Sequence, residues 1–116
     1  MSWYKVELTP ELVAKIRISQ VEAGFHAILI SHDVGQEAAL YSTTRFADGG
    51  EIFYIYCDSP KPDVVDMLCR LMSDILGAPC ELSDPPSPMG LEAVIVDPRL
   101  DDRIRRALSC ANSKGI

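Results

Sequence analysis

Two short runs in this 116-residue chain carry residue types able to do chemistry. His32-Asp33 sets an imidazole beside a carboxylate, the pairing of a general base with the group that orients it. Cys57-Asp58 sets a thiol just ahead of a predicted helix, whose positive end lowers a thiol pKa and favours the nucleophilic thiolate. Each residue also has a purely structural use. His32 complements the negative end of a helix that stops beside it, and Asp58 caps the next one. Together with Trp3, these four define a candidate cleft for a small molecule or for cofactor-free catalysis, provided the fold brings them to one place.

The remaining cysteines add no recognisable motif. Cys57, Cys69, Cys80 and Cys110 are separated by 12, 11 and 30 positions, which fits neither a zinc ribbon nor a Cys-x-x-Cys redox pair. They read as separate small hydrophobes in a reducing compartment. The cleft offers one soft ligand and one imidazole, so no metal site is expected. His26 falls one step off the apolar stripe of its helix and reads as a partly buried side chain. There is no glycine-rich phosphate loop, no Gly-x-Ser-x-Gly and no proline after Met1, so no nucleophile or nucleotide motif, and no cofactor, is indicated.

The elements that must position these residues follow from periodicity. Tyr4, Val6 and Leu8 alternate with Trp3, Lys5 and Glu7, a strand with one face in the core. Thr9-Pro10-Glu11 supplies a cap, a first-turn proline and an early acid. Ala14, Ile18, Val21, Phe25, Ile28 and His32 then recur at helical steps, predicting one helix from Pro10 to about His32, with Gly35 as the left-handed residue after it. Gly24 offers the alternative of a break, with residues 25–31 as a strand. Residues 38–45 and 51–58 predict a hairpin around an Asp-Gly turn. Val64, Val65, Leu68, Leu71, Met72, Ile75 and Leu76 predict a helix ended by Gly77. A short strand over 79–82 follows, then a proline-rich linker over 83–90. A strand over 91–96 and a helix opened by Asp97-Pro98, with Leu100, Ile104 and Leu108 on one face, complete the chain.

The order β-α-β-β-α-β over residues 3–82 predicts an α+β fold with ferredoxin-like topology, an antiparallel sheet with two helices on one face, extended by a C-terminal β-α unit over 91–110, all in one domain. In that topology the first helix ends where the first strand begins and the third strand finishes, so Trp3, His32, Asp33, Cys57 and Asp58 are expected to converge. Trp3-Tyr-Lys-Val-Glu-Leu-Thr, Ala38-Ala-Leu-Tyr41 and Gly77-Ala-Pro-Cys-Glu81 together resemble a group of small uncharacterised bacterial proteins of similar length. The resemblance spans residues 3–81 and brings no assigned activity.

Charge and composition narrow the partners. Residues 1–97 carry 6 basic against 15 acidic side chains, and residues 98–116 carry 5 against 2. An acidic body repels a phosphate backbone, so nucleic acid is disfavoured. The aromatic run Gly50-Glu-Ile-Phe-Tyr-Ile-Tyr56 also lacks the cation that a base-stacking strand uses. No apolar run reaches membrane-spanning length and the first residues form no secretory signal, so the cytoplasm is the expected compartment. Two helices cover only one face of a sheet. Either Phe53 and Ile55 or Tyr54 and Tyr56, with Trp3, are therefore left on an apolar face. A second copy of the chain, another protein, or the chain's own tail folded back must cover it. The favoured expectation is a non-enzymatic interaction or regulatory module, self-associating as a homodimer, with Trp3, Phe53, Tyr54, Ile55 and Tyr56 as interface candidates. The small-molecule cleft is the alternative.

Overall fold

The computed structural model describes residues 2–35, 37–43, 47–58 and 62–114. In chain order the elements are β1 (Ser2–Leu8), α1 (Pro10–Lys15), α2 (Ile18–Ser31), β2 (Ala38–Thr43), β3 (Glu51–Cys57), α3 (Pro62–Leu76), β4 (Cys80–Ser83), β5 (Leu91–Ile95) and α4 (Pro98–Lys114). The strands form one antiparallel sheet in the order β4-β1-β3-β2-β5. The chain is thus an α+β fold with a five-stranded sheet and, among the described residues, four helices.

Alternation along the central strands divides the side chains between two apolar layers. Val6, Leu8, Leu40, Phe53, Ile55 and Cys57 point to the side where Val21, Phe25 and Leu29 of α2 and Val64, Leu68, Met72 and Leu76 of α3 pack. Trp3, Ala39, Tyr41 and Tyr56 point to the other side, where Leu100, Ile104 and Leu108 of α4 meet them with Leu91. The α3 and α4 stripes lie where the sequence puts them. Gly77, at φ 73°, ends α3 with its N–H on the Ser73 carbonyl, and Asp97 caps α4 by accepting from the Arg99 N–H at 2.9 Å.

The long first helix expected from Pro10 to His32 is instead two helices. Thr9 caps α1 through the Leu12 N–H, and the chain turns extended at Ile16 (ψ 136°) and Arg17 (ψ 95°) before α2 begins. The bend lets Val13 and Ile16 reach the same core as Val21, Phe25 and Leu29. It also rotates the expected stripe, leaving Ala14 and Ile18 exposed. Residues 25–31 are helical, and Gly24 does not break α2. A β-carbon there would stand 2.9 Å from Leu71 Cδ1, so the glycine serves the close approach of α2 to α3. The left-handed residue after α2 is Asp33 (φ 52°) and not Gly35, a conformation that a short polar side chain tolerates. The expected hairpin pairs β2 with β3; its residues 44–46, and Ser59 ahead of α3, lie outside the described residues.

The second apolar layer exists because the linker crosses the sheet. Ser83 pairs with Trp3 at one corner, and Leu91 pairs with Thr43 at the opposite corner. Four strand spacings across and four residues along make a diagonal of about 23 Å. Eight residue steps span about 25 Å in the polyproline conformation. Pro85 and Pro86 favour an extended path in the first part of the connection, and a turn closed by the Leu91 N–H on the Pro88 carbonyl, with Gly90 at φ 76°, ends it. The linker crosses beside Trp3, Lys5 and Tyr54, with Pro86 buried, and delivers β5 to the far edge.

A polar network fastens α4 to this layer. The Tyr41 hydroxyl donates to Asp101 Oδ1 at 2.7 Å, and Arg105 donates to the same carboxylate at 2.9 Å and to the Leu91 carbonyl at 3.0 Å. The Arg105 guanidinium also lies 5.7 Å from the centre of the Tyr41 ring.

Ile104→Ala is expected to lower unfolding stability by about 2 to 4 kcal/mol, the cost of a buried cavity. Tyr41→Phe should lower it by about 1.5 to 3 kcal/mol, as expected for a hydrogen bond to a charged group. Urea titration measures both. Burial, and then the bond to Asp101, hold the Tyr41 phenol well above its ordinary value of 10.0. A group whose folded pKa is raised contributes fully below its unfolded value and loses that contribution as pH rises. Stability should therefore decline above about pH 10, and less steeply in Tyr41→Phe.

Candidate functional site

The end of the sheet where β1 starts is also where β3 finishes and β2 begins, since Cys57 pairs with both Ser2 and Ala38. His32 caps the carboxyl end of α2, its N–H donating to the Ile28 carbonyl, and exposed Asp33 follows, its N–H donating to the Ile30 carbonyl. The Asp58 N–H donates to the Glu37 carbonyl at 2.7 Å. All five cleft candidates thus lie at one end of the sheet, but they do not face one space. Cys57 is buried in the layer under α2 and α3. Trp3 is buried on the opposite face, with ring centres 6.0 Å from Tyr41, 6.4 Å from Tyr54 and 5.2 Å from Tyr56. The sheet separates them.

The open pocket nearest this end lies between α2 and β5. Of the five candidates it takes in only Asp33, alongside His26, Ile30, Glu37, Ile95 and Asp97. One carboxylate oxygen there, Glu37 Oε2, is buried without a hydrogen-bond partner. Among the described residues no group of three or more His, Cys, Asp or Glu side chains is arranged to hold a metal ion.

The interface candidates divide between the two apolar layers. Phe53 and Ile55 belong to the layer under α2 and α3, while Tyr56 and Trp3 lie under α4. Tyr54 is half-buried beside the linker. Of the coverings weighed from the sequence, the chain's own tail is the one seen on the aromatic face.

The exposed apolar surface lies elsewhere. Four large apolar side chains are exposed among the described residues: Ile18 (44%) at the start of α2, Ile30 (68%) at its end, Leu82 (73%) on β4 and Met89 (88%) in the linker. Beside α2 runs β5, which pairs with β2 on one edge and with no other described strand on the other. A shift of register opposite Leu40 and Tyr41 leaves Val94 unpaired, and both Val94 and Ile95 lean toward the α2 side. The trough between α2 and β5 has a mixed lining, with Val13, Ile16, Ile18 and Val94 beside Ser42 in one stretch and Ala23 and Ile95 beside Ser19 and His26 in the next. Its ends are acidic, with Glu22, Glu51 and Glu92 at one and Asp33 and Asp97 at the other. The sequence signal for this surface was Ala23, Ala27 and Ile30, apolar residues of α2 that fall off the core stripe of Val21, Phe25 and Ile28.

A second arrangement was missed because it joins two elements. Cys69 of α3 and Cys80 of β4, read separately from the sequence, stand with their sulfurs 3.1 Å apart.

Comparison of the chain with protein-family models, with curated proteins and with solved structures finds no significant match. No helix among the described residues is long and apolar enough to cross a membrane.

Thiol accessibility gives a direct check on this geometry. In the native chain Cys110, which is exposed, should react with an aromatic disulfide reagent at once. Cys57, 4% exposed, should react only as the protein unfolds in urea. Prompt labelling of native Cys57, located by peptide mapping, would show that the cleft end is open.

Proposed function

We propose that this chain is a small acidic protein-interaction module that pairs with a second copy of itself through the α2–β5 face. The observation that carries the reading is the trough itself, where exposed Ile18 and Ile30 flank an edge strand with an unpaired side. An exposed strand edge is a template for another strand. Between Leu91 and Ile95 there is no proline, and the edge is blunted by one charge, Glu92, and by the bulge at Val94. Antiparallel pairing of β5 with its own copy about a two-fold axis is self-complementary. The same axis sets α2 of one copy beside α2 of the other and buries the isoleucines.

We also read residues 3–82 as the ferredoxin-like body. The strand order β4-β1-β3-β2, with α2 and α3 packed on one face, supports that assignment, and β5 extends the body at its β2 edge. Fold does not select function. The small-molecule reading has less support, because Trp3 and Cys57 lie on opposite sides of the sheet. The acidic ends of the trough favour a second reading within the same class, capture of a basic partner.

Salt separates the two. Copies carrying a net charge of −6 repel each other, so self-association should tighten as salt rises, whereas capture of a basic partner should weaken. Light scattering across micromolar concentrations should show a species of twice 12.8 kDa. Ile30→Asp should weaken dimerisation at least tenfold, about 1.4 kcal/mol. A 12.8 kDa monomer throughout, in low and high salt, removes the homodimer.

A further inference from the structure

Cys69 lies on the side of α3 that faces β4, and Cys80 is the first residue of that strand. One turn beyond Cys69, Ser73 Oγ accepts the Cys80 N–H at 3.2 Å. The start of β4 is thereby held against the helix, and the Cys80 Sγ comes 3.1 Å from the Cys69 Sγ. Both cysteines are partly exposed, unlike buried Cys57. We infer that Cys69 and Cys80 form a thiol–disulfide modification site, closed by small disulfides such as oxidised glutathione and reopened by excess thiol.

The chemistry has a defined direction. A hydrogen bond from the Cys80 thiol lowers the pKa of Cys69 and raises that of Cys80, so Cys69 is the attacking thiolate. Its sulfur displaces one half of the small disulfide, forming a mixed disulfide on Cys69 and releasing one thiol. Cys80 then loses its proton and attacks the Cys69 sulfur, releasing the second thiol. The chain gives up two hydrogens and two electrons, and one small disulfide becomes two thiols. Bond formation needs the sulfurs to move about 1 Å closer, to the disulfide length of about 2.05 Å. β4 can follow this movement, because it is a four-residue strand at the sheet edge with β1 as its strand neighbour. Pairs of this kind in a reducing compartment are transient and regulatory rather than permanent.

The test uses the reduced full chain carrying Cys110→Ser, which removes the exposed competitor, and oxidised glutathione as the probe. Intact mass should fall by about 2 Da, peptide mapping should join Cys69 to Cys80, and excess reduced glutathione should reverse the change. Closure should be at least tenfold faster in the native chain than in urea, because the fold holds the sulfurs together. Cys80→Ser should stop at a glutathione adduct on Cys69, and Cys69→Ser should likewise show no 2 Da loss. No mass loss, stable adducts on both thiols, a bond to Cys57, or equal rates with and without urea would each overturn the proposal. The native and urea rates on the Cys110→Ser chain need neither Cys69→Ser nor Cys80→Ser, so misfolding of either variant leaves that comparison intact.

Discussion

The central strand β3 is apolar on both faces, and most of the architecture follows from that constraint. Phe53, Ile55 and Cys57 alternate with Tyr54 and Tyr56, so covering one face of the sheet leaves the other in contact with water. Fully burying one large apolar side chain contributes about 1.5 to 3 kcal/mol, and Trp3, Tyr41 and Tyr56 would forgo much of that on an open face. The three helices inside the β1-to-β4 body lie on one side. The second side is closed by the linker and α4, which makes the protein three layers deep. Tyr41, Asp101 and Arg105 then fix where α4 sits, because each satisfies the polar atoms of another in a half-buried place.

Covering both faces moves the exposed apolar surface to the edges. With α4 over the aromatic side, the flank formed by α2 and β5 is exposed at one edge, and β4 with Leu82 at the other. Adding β5 extends the sheet past the span of α2 and α3, and no described helix lies beyond it. The bulge at Val94 turns Ile95 to the α2 side, so the flank gains apolar residues from the strand as well as from the helix.

Much of this was legible in the sequence, for reasons specific to each element. The α3 and α4 stripes could be read because their apolar steps are unbroken and each has a clear boundary, Gly77 after one and Asp97-Pro98 before the other. The bend between α1 and α2 could not, because Ala14 and Ile18 continue the helical spacing across it, and tertiary packing of Ile16 overrides the pattern. Gly24 was ambiguous because its role is set by Leu71, a residue 47 positions away. The cleft was half legible. Topology placed its five residues at one end of the sheet, whereas the face each one takes depends on strand parity against two separate layers. The cysteine pair gave no signal, since a spacing of 11 residues means nothing until a helix and a strand lie side by side.

The diagonal linker gives the chain an unequal tolerance to changes in length. The turn at 88–91 holds what slack the connection has, so a deletion must first open that turn, and a longer one would pull β5 off the sheet edge or lift α4 from the aromatic layer. Adding residues costs little, because the entropy of closing a loop grows only with the logarithm of its length. Natural variation in this segment should therefore favour insertion over deletion.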